Sequence, residues 1–298
     1  MTIDTLLYNG EFHSMDKDNS VYEALGIKDG KISFLGKDID VQKVNAKQKI
    51  DMQGKLVLPG FVDTHLHALD YAETKKFIKL NGSESVDEVI ERSKEHYKKN
   101  GLSQEWLIGW GWNQSEFKDG NDFIYKEDLD KISTEYPIIL LRVCAHVAVV
   151  NSKAMELILK NEITKEAMEY IDIEKGILRE SSIIVYRKAL AKPTIEYIKE
   201  MILSAQEDFL KEGITQVHSA DYFSAVPEED WEKVITAYTE LEKEGKLKVR
   251  TYEQCMFFIY ENFEEFIEKG YRTGQGGEYF KIGPLKVISD GSLGARTE

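Results

Sequence analysis

The regular alternation of helix and strand patterns after Pro193 constrains the fold of this chain more than any other feature. Residues 194–213 ("TIEYIKEMILSAQEDFLKEG") carry apolar residues at helical spacing and end at a glycine, and "ITQVHSAD" follows as a strand. Two more helix patterns, "PEEDWEKVITAYTELEKEG" and "NFEEFIEKG", each precede a strand pattern, "KLKVRTYEQCMFF" and "KIGPLKVISDGSLG". Strands and helices at this spacing pair in parallel through right-handed crossovers. The sequence therefore predicts an α/β fold.

An earlier segment adds a fourth strand to this set. Residues 55–67 ("KLVLPGFVDTHLH") form a nearly continuous apolar run, which is typical of a strand buried on both faces. A closed barrel of parallel strands and helices needs eight strands. Four strands therefore predict about the first half of a (β/α)8, TIM-type barrel over residues 56–298.

The regions before and within this barrel pattern differ in character. Residues 1–55 contain short strand patterns, including "EALGIKDGKISFLG", in which Asp29-Gly30 is a strong hairpin signal. Residues 70–195 interrupt the alternation with the helix pattern "SESVDEVIERSKEHYKKNG" and the aromatic, irregular stretch "EWLIGWGWNQSEF". We expect residues 1–55 to be a separate β unit and the insertion at about 70–195 to form the lid of a pocket.

The charge balance excludes several classes of protein. Lys and Arg number 39 against 53 Asp and Glu, for a formal charge of −14, and no dense basic cluster is present. This argues against binding to nucleic acid or to an anionic membrane surface. The N-terminus lacks the pattern of a secretory signal. Cys144 and Cys255 both lie in apolar stretches, so two buried free thiols and a reducing cytoplasm are predicted.

Two histidines stand one residue apart at the end of the first barrel strand, in "DTHLH" at positions 63–67. Residues i and i+2 of a strand face the same side, so His65 and His67 are expected to point together to the barrel mouth. Neutral imidazole is a good ligand for zinc and similar divalent metals. Such pairs also arise by chance on exposed strands, but the place after a buried strand and Pro-Gly favours a metal site.

Seven stretches spread over the chain resemble the amidohydrolase superfamily, and specifically its amidohydrolase family 3 branch, which includes N-substituted formamide deformylase-like enzymes. They are "YNGEFHSMD", "ALGIKDGKISFLG", "IDMQGKLVLPGFVDTHLH", "GWGWNQ", "HVAVVNSKAMEL", "GILRE" and "KVISDGSLGARTE". The resemblance implies a (β/α)8 metal-dependent hydrolase flanked by a small β-sandwich, of which residues 1–55 would be the N-terminal part.

The resemblance also implies roles for individual residues. His65 and His67 would be metal ligands, and Lys286, on the fourth strand, would supply a carboxylate as a bridging carbamate. A solvated lysine at a strand edge explains Lys286 equally well. Asp63 is a candidate for orienting a ligand histidine. The ligands and the general base that the family places on strands 5, 6 and 8 have no counterpart in these 298 residues.

Further residues are candidates for contact with the substrate: Trp110, Trp112, Arg142, His146, Glu180 and His218. An aromatic core cluster would account for the two tryptophans as well as a pocket would. Arg142 could hold a substrate carboxylate or pair with an acidic neighbour. His146 and His218 could be satisfied structural histidines, and the default interpretation of Glu180 is a surface glutamate.

These features predict a cytoplasmic hydrolase that acts on a carbon–nitrogen bond other than a peptide, in an amide, formamide or cyclic amide, with one or two divalent ions, most readily zinc. The expected partner is a small amide-type molecule, with no nucleic acid and no membrane, and a homo-oligomer is left open. Two alternatives remain: a truncated, non-catalytic chain, because two histidines and a lysine do not complete a catalytic site, and a related metal-dependent deaminase.

Overall fold

Strands and helices cover most of the chain in the computed structural model, which describes residues 2–37, 41–223 and 225–289. The strands are β1 (Ile3–His13), β2 (Val21–Lys28), β3 (Lys31–Gly36), β4 (Ala46–Asp51), β5 (Leu56–Val57), β6 (Phe61–Leu66), β7 (Ile78–Lys79), β8 (Leu107–Trp112), β9 (Ile138–Arg142), β10 (Val147–Val150), β11 (Ile171–Asp172), β12 (Ile177–Arg179), β13 (Ile214–Ser219), β14 (Arg250–Cys255) and β15 (Phe280–Leu285). The α-helices are α1 (Ala68–Thr74), α2 (Val86–Asn100), α3 (Lys126–Asp130), α4 (Ser152–Ile158), α5 (Lys165–Met168), α6 (Ile195–Lys211), α7 (Trp231–Lys243) and α8 (Tyr260–Glu268). Short 3-10 segments lie at Gln114–Glu116, Glu180–Ala189 and Glu228–Asp230.

The first of two compact units comprises Met1–Val62 and Gly213–Thr215. It contains a five-stranded sheet in which β3, β2, β1 and β4 are neighbours in that order and β5 also pairs with β1. The hairpin predicted at Asp29-Gly30 joins β2 to β3, and both residues have the positive φ angles (51° and 72°) that a tight two-residue turn requires. The hairpin prediction is therefore confirmed.

The second unit comprises Asp63–Glu212 and Gln216–Glu298. Much of the segment between α1 and α6 forms a six-stranded sheet of its own, in the order β11, β12, β10, β9, β8, β7. The prediction of irregular structure for "EWLIGWGWNQSEF" is wrong, because the centre of this stretch is strand β8. Strand β8 is buried almost throughout, so it shows no alternation, and at Gly109 a Cβ atom would lie 2.7 Å from the Leu140 side chain. Close packing accounts for that glycine, which made the sequence look irregular.

A four-stranded sheet in the order β15, β14, β13, β6 carries the predicted alternation. Strands β13, β14 and β15 pair in parallel, and helices α6, α7 and α8 lie between successive strands in the sequence as expected. Helix α6 begins at the predicted cap, where the Thr194 side chain accepts the Tyr197 N–H. The mixed α/β fold is thus confirmed, whereas the sheet is open and a closed barrel stays a prediction.

The prediction that the strand in "KLVLPGFVDTHLH" is buried on both faces is wrong for this structure. Phe61 and Val62 in β6 are 53% and 49% exposed. Strand β6 lies at one edge of the open sheet and has β13 as its neighbour, so much of its surface faces solvent. An apolar run indicates that a strand can be buried, and the neighbouring strands and helices decide whether it is.

The core behind this sheet is rich in aromatic side chains. Trp231 at the start of α7 is 1% exposed, and its ring lies 5.3 Å from Phe266 in α8 and 5.4 Å from Tyr271. Tyr238, about two turns further along the same face of α7, stacks on Phe280 of β15, with ring centroids 4.7 Å apart. Within the described ranges, no helix combines the length and apolar character that a bilayer span requires.

Candidate functional site

His65 and His67 lie at the carboxyl end of β6, on the same side of the strand. Their ring centroids are 6.2 Å apart, the His65 side chain is exposed and that of His67 is half-buried. Strand β6 ends at Leu66, and His67 is the residue before helix α1. The two imidazoles therefore sit side by side where the sheet gives way to helix.

The hydrogen bond of His67 fixes its tautomer. Its Nδ1 lies 2.6 Å from the carbonyl oxygen of Ala220. A carbonyl oxygen only accepts, so Nδ1 carries the proton and donates it. In the neutral imidazole, Nε2 of His67 then carries a lone pair, as in a metal-ligating histidine whose other nitrogen is held by a backbone carbonyl.

Three consecutive residues at the end of β13, Ser219–Asp221, hold the start of α1; we call them the strand-end clamp. The Ser219 hydroxyl accepts the N–H of Ala68 at 2.8 Å, and the Asp221 carboxylate accepts the N–H of Leu69 at 3.1 Å. These two amides belong to the first turn of α1, where backbone donors have no partner within the helix. The clamp therefore positions His67 from both its side chain and the backbone that follows it.

This clamp was not predicted from the sequence. The signal lay in "ITQVHSAD", where a serine and an aspartate follow a strand pattern directly. Polar residues at the end of a parallel strand reach the same edge of the sheet as those of its neighbours, but their partners on α1 lie about 150 positions earlier in the chain.

A buried acid supports the clamp from β14. The Glu253 carboxylate accepts the Asp221 N–H at 2.7 Å, and neither side chain is more than 4% exposed. Burial raises the pKa of Asp221 to about 6 and raises that of Glu253 well above its ordinary value. Both carboxyls consequently favour their protonated form more than a solvated carboxyl does.

Lys286 lies just beyond the end of β15 and meets the histidine pair. Its Nζ is 3.3 Å from Nε2 of His65, and its backbone N–H donates to the carbonyl of Cys255 at 2.8 Å. Two imidazoles at one sheet edge fit the donor preferences of a divalent metal, whereas an unmodified lysine side chain is not among its usual ligands. Among the described residues, no group of three or more His, Cys, Asp or Glu side chains could hold an ion. The described part of the chain therefore supplies an incomplete ligand set.

Asp63 and His218 also lie near this edge, with different contacts. The Asp63 carboxylate accepts the backbone N–H of His65 at 3.0 Å. Asp63 thus contacts the backbone of His65, and its role in orienting a ligand ring stays a prediction. The half-buried His218 on β13 has its ring 5.4 Å from that of Tyr252.

Arg142, His146 and Glu180 form a second group. The Arg142 guanidinium donates to the side-chain oxygens of Gln114 at 2.8 Å and Asn113 at 3.2 Å, which are neutral acceptors and not the acidic neighbour considered above. His146 Nδ1 lies 2.8 Å from a Glu180 carboxylate oxygen, and the Glu180 N–H donates to the His146 carbonyl at 3.1 Å. Glu180 thus has a specific partner, although both side chains are exposed.

The two tryptophans occupy different environments. Trp112 is fully buried, and its Nε1 donates to the Leu140 carbonyl at 3.0 Å. Trp112 therefore lies in the core. A ring that is closed off from solvent offers no face to a ligand. Trp110 is half-buried and packs against a neighbouring apolar cluster.

The prediction that both thiols are buried is wrong for Cys144. Cys144 is exposed, in the turn between β9 and β10, and Cys255 is buried. Partial burial raises the pKa of Cys144, but the His146 N–H and the Arg142 guanidinium outweigh it and hold that pKa below its ordinary value. Burial raises the pKa of the Cys255 thiol to about 12. The apolar sequence around Cys144 hid a tight turn in which Ala145 has a positive φ of 59°.

We expect iodoacetamide at pH 7 to alkylate Cys144 about 100-fold faster than Cys255, because the thiolate is the nucleophile and must be accessible. Peptide mass mapping of a time course separates the two rates within one sample. Arg142→Met should slow the Cys144 reaction, while Cys144→Ser should remove the fast phase. Equal rates for the two thiols in the folded protein would contradict the assigned environments.

A family model described as the amidohydrolase family matches residues 48–297 of this chain, which is most of its length and includes His65, His67 and Lys286. The chain belongs to the amidohydrolase family.

Two proteins that are similar to this family member are both longer than it. A Bacillus subtilis protein named as an amidohydrolase, YtcJ, is 27% identical over 97% of this chain and 54% of its own length. The N-substituted formamide deformylase of Arthrobacter pascens is 25% identical over 73% of this chain and 42% of its own length. The chain thus spans about half the length of these relatives.

A solved structure of an uncharacterized metal-dependent hydrolase from Pyrococcus furiosus is similar to this amidohydrolase family member over 98% of the chain. The TM-score is 0.76 and the sequence identity 29%, and the match covers 57% of that structure's chain. The alignment extends over both units of the present fold. The similarity in structure agrees with the family assignment, which the sequence resemblance had indicated.

Proposed function

We propose that this chain contributes to a divalent-metal-dependent hydrolase that cleaves carbon–nitrogen bonds other than peptide bonds, in small amides, formamides or cyclic amides. The observation that carries the proposal is the placement of His67. A half-buried imidazole is held through Nδ1 by a backbone carbonyl, with His65 beside it and Lys286 within 3.3 Å of that neighbour. Family membership and the names of two relatives support the reaction type.

In this proposal His65 and His67 hold the ion, for which zinc is the best candidate on donor chemistry. A bound divalent ion would supply an activated water and polarise the scissile carbonyl. The Ala220 carbonyl keeps the His67 proton on Nδ1, and the strand-end clamp keeps the imidazole at the sheet edge. Addition of carbon dioxide to the neutral Lys286 amine, with loss of one proton, would form a carbamate and place a carboxylate donor next to His65.

The barrel architecture, the 1–55 and 56–298 division and the role of residues 70–195 as a lid belong to the same proposal. The two free thiols favour a reducing, cytoplasmic compartment. The proposed partner is a small amide-type molecule, without nucleic acid or membrane surface. Trp110, Arg142, His146, Glu180 and His218 remain candidates for substrate contact.

The test combines metal analysis with a substrate panel. The purified chain, and any longer product of the same reading frame, is dialysed against zinc and then washed. Bound zinc is measured by mass spectrometry, and hydrolysis of N-substituted formamides, acyclic amides and cyclic amides is followed. Zinc at one or two equivalents with turnover of one amide class is expected. Zinc binding without hydrolysis in every form would favour a non-catalytic chain, and ammonia release from a ring amine would favour a deaminase.

A further inference from the structure

The His67 imidazole needs more than one contact to hold its plane. The torsion that turns a histidine ring about its Cβ–Cγ bond is broad, so the backbone alone leaves the direction of the ring open. The hydrogen bond from Nδ1 to the Ala220 carbonyl, at 2.6 Å, fixes one ring atom. A hydrogen bond tolerates some misalignment before it weakens steeply. A second contact is therefore required to set the direction in which Nε2 points.

Phe223 supplies such a contact. Its ring centroid lies 5.4 Å from that of His67 and the two planes meet at 89°, which is the edge-to-face arrangement that aromatic pairs prefer. The ring of His65 borders His67 less closely, at 6.2 Å and 64°. With a hydrogen bond at one ring nitrogen and a perpendicular ring in contact, the imidazole has little freedom to turn.

The segment that carries Phe223 is anchored in the core at its first end. Tyr222, directly before Phe223, is fully buried, and its ring centroid lies 5.6 Å from that of Phe257 and 6.4 Å from that of Phe266. Phe223 itself is half-buried and contacts the histidine. The strand-end clamp and Phe223 thus belong to one stretch, residues 219–223, which contacts both His67 and the start of α1.

Asp70 holds the same segment two residues further on. The N–H of the buried Ala225 donates to the Asp70 carboxylate at 2.8 Å. Asp70 lies in the first turn of α1, three positions after His67. This bond therefore closes a short bridge between the helix that follows His67 and the segment that carries Phe223.

Phe258 gives Phe223 a second aromatic contact. Their ring centroids are 5.4 Å apart and the planes meet at 76°. Phe258 lies between β14 and α8, and its backbone N–H donates to the buried Glu228 carboxylate at 2.8 Å. The N–H of Ile259 donates to the same carboxylate at 2.9 Å. Phe223 therefore contacts both His67 and an aromatic ring whose own backbone is fixed.

We propose that Phe223 is a positioning residue of the candidate metal centre, which holds the plane of the His67 imidazole, and that Asp70 acts through Phe223 by fixing its segment. The importance of this role rests on the proposed function, in which His67 is a metal ligand. A ligand that is already oriented loses less conformational freedom when the ion binds. Altering the groups that orient a ligating histidine changes metal affinity by about 10–100-fold.

The first measurement is the zinc affinity of the full chain, by competition with a zinc-sensitive dye at pH 7.5. Phe223→Leu keeps the apolar bulk and removes the ring, and we expect it to weaken zinc binding about tenfold. Phe223→Tyr keeps the ring and should restore an affinity near that of the parent. Phe209→Leu is the matched control, because Phe209 is also half-buried and its ring packs on that of Tyr71, at 5.6 Å, rather than on a histidine.

The second measurement needs no metal. Nuclear magnetic resonance spectra of the His67 ring are recorded with a chelator present and are assigned by comparison with His67→Ala. The parent should show one tautomer, with the proton on Nδ1, and a ring-current displacement of the carbon-bound His67 ring protons. Phe223→Leu should remove this displacement and move the nitrogen shifts toward the average of two tautomers, whereas Phe209→Leu should change neither.

Two variants of Asp70 separate its hydrogen bond from its charge. Asp70→Asn keeps an oxygen that accepts the Ala225 N–H and should bind zinc nearly as the parent does. Asp70→Leu removes the acceptor and should weaken zinc binding by about as much as Phe223→Leu does. Because Asp70 acts through Phe223, the double variant should lose no more affinity than either single variant, as coupled residues give non-additive effects.

Three results would overturn the proposal. They are unchanged His67 ring signals or unchanged zinc affinity in Phe223→Leu, a loss in Phe223→Tyr as large as that in Phe223→Leu, and losses from Asp70→Leu and Phe223→Leu that add in full. Circular dichroism confirms that each variant is folded, and Phe223→Met takes the place of Phe223→Leu if leucine prevents folding. A parent chain that binds no zinc would refute the proposed metal site, and the ring signals of the metal-free chain then decide alone whether Phe223 holds the imidazole.

Discussion

Replacing His67 by alanine is expected to weaken zinc binding by about 100-fold or more. His67 is the imidazole whose free nitrogen the structure fixes, through the 2.6 Å bond from Nδ1 to the Ala220 carbonyl. Removing it takes away a ligand that needs no reorganisation before it binds. Competition with a zinc-sensitive dye, followed by calorimetry, gives the affinity of parent and variant.

The control for His67→Ala is His96→Ala, which removes an imidazole on helix α2 that has no part in the histidine pair. Ser219→Ala should have a smaller effect, about tenfold, because it removes one bond to the backbone after His67 and leaves the imidazole in place. The ¹⁵N chemical shifts of the His67 ring report the tautomer directly, with Nδ1 protonated in the metal-free chain. Unchanged zinc affinity in His67→Ala would place any metal site elsewhere.

The second large effect concerns the free energy of unfolding between pH 5 and 7.5. We expect the buried acids Asp221 and Glu253 to lower this free energy as the pH rises. Burial raises the pKa of Asp221 from 3.8 to about 6 and that of Glu253 well above 4.5. The unfolded chain releases these protons first, so the folded state holds more protons in this window and the free energy of unfolding falls with pH. For Asp221 alone, the free energy of unfolding decreases by about 3 kcal/mol, and this decrease is complete above about pH 6.

Asp221→Asn should flatten this decline by about 1 kcal/mol or more, and Glu253→Gln should flatten it as well, since an amide has no proton to lose in this range. Urea unfolding at pH 5, 6, 7 and 7.5, with a chelator present, gives the free energies of unfolding. The lowered pKa of Asp208, held down first by Lys75, makes its opposite contribution below this window. Glu166→Gln, at an exposed position on α5, is the matched control. A pH profile unchanged in both buried variants would show that neither acid is perturbed.

Much of the α/β framework could be predicted because its signals are local. Helix α2 begins at Ser85, whose side chain caps the helix, and ends at Gly101, as its sequence pattern indicated. The placement of His65 and His67 on one side of the strand end follows from the two-residue period of a strand. The burial of individual side chains was harder to predict, because Phe61 and Cys144 are exposed although they lie in apolar stretches of sequence. Whether a side chain meets solvent depends on neighbouring strands and turns that no local window contains.

By itself, the sequence determined the strand–helix alternation, the parallel pairing of β13, β14 and β15, and the histidine pair, since periodicity, capping residues and turn residues act over a few neighbours. The tertiary structure alone decided which nitrogen of His67 donates to a backbone carbonyl, and that Ser219 and Asp221 hold the start of α1. Those features join residues about 150 positions apart. Contacts at that separation are set by how the strands and helices pack, and packing depends on the whole chain at once.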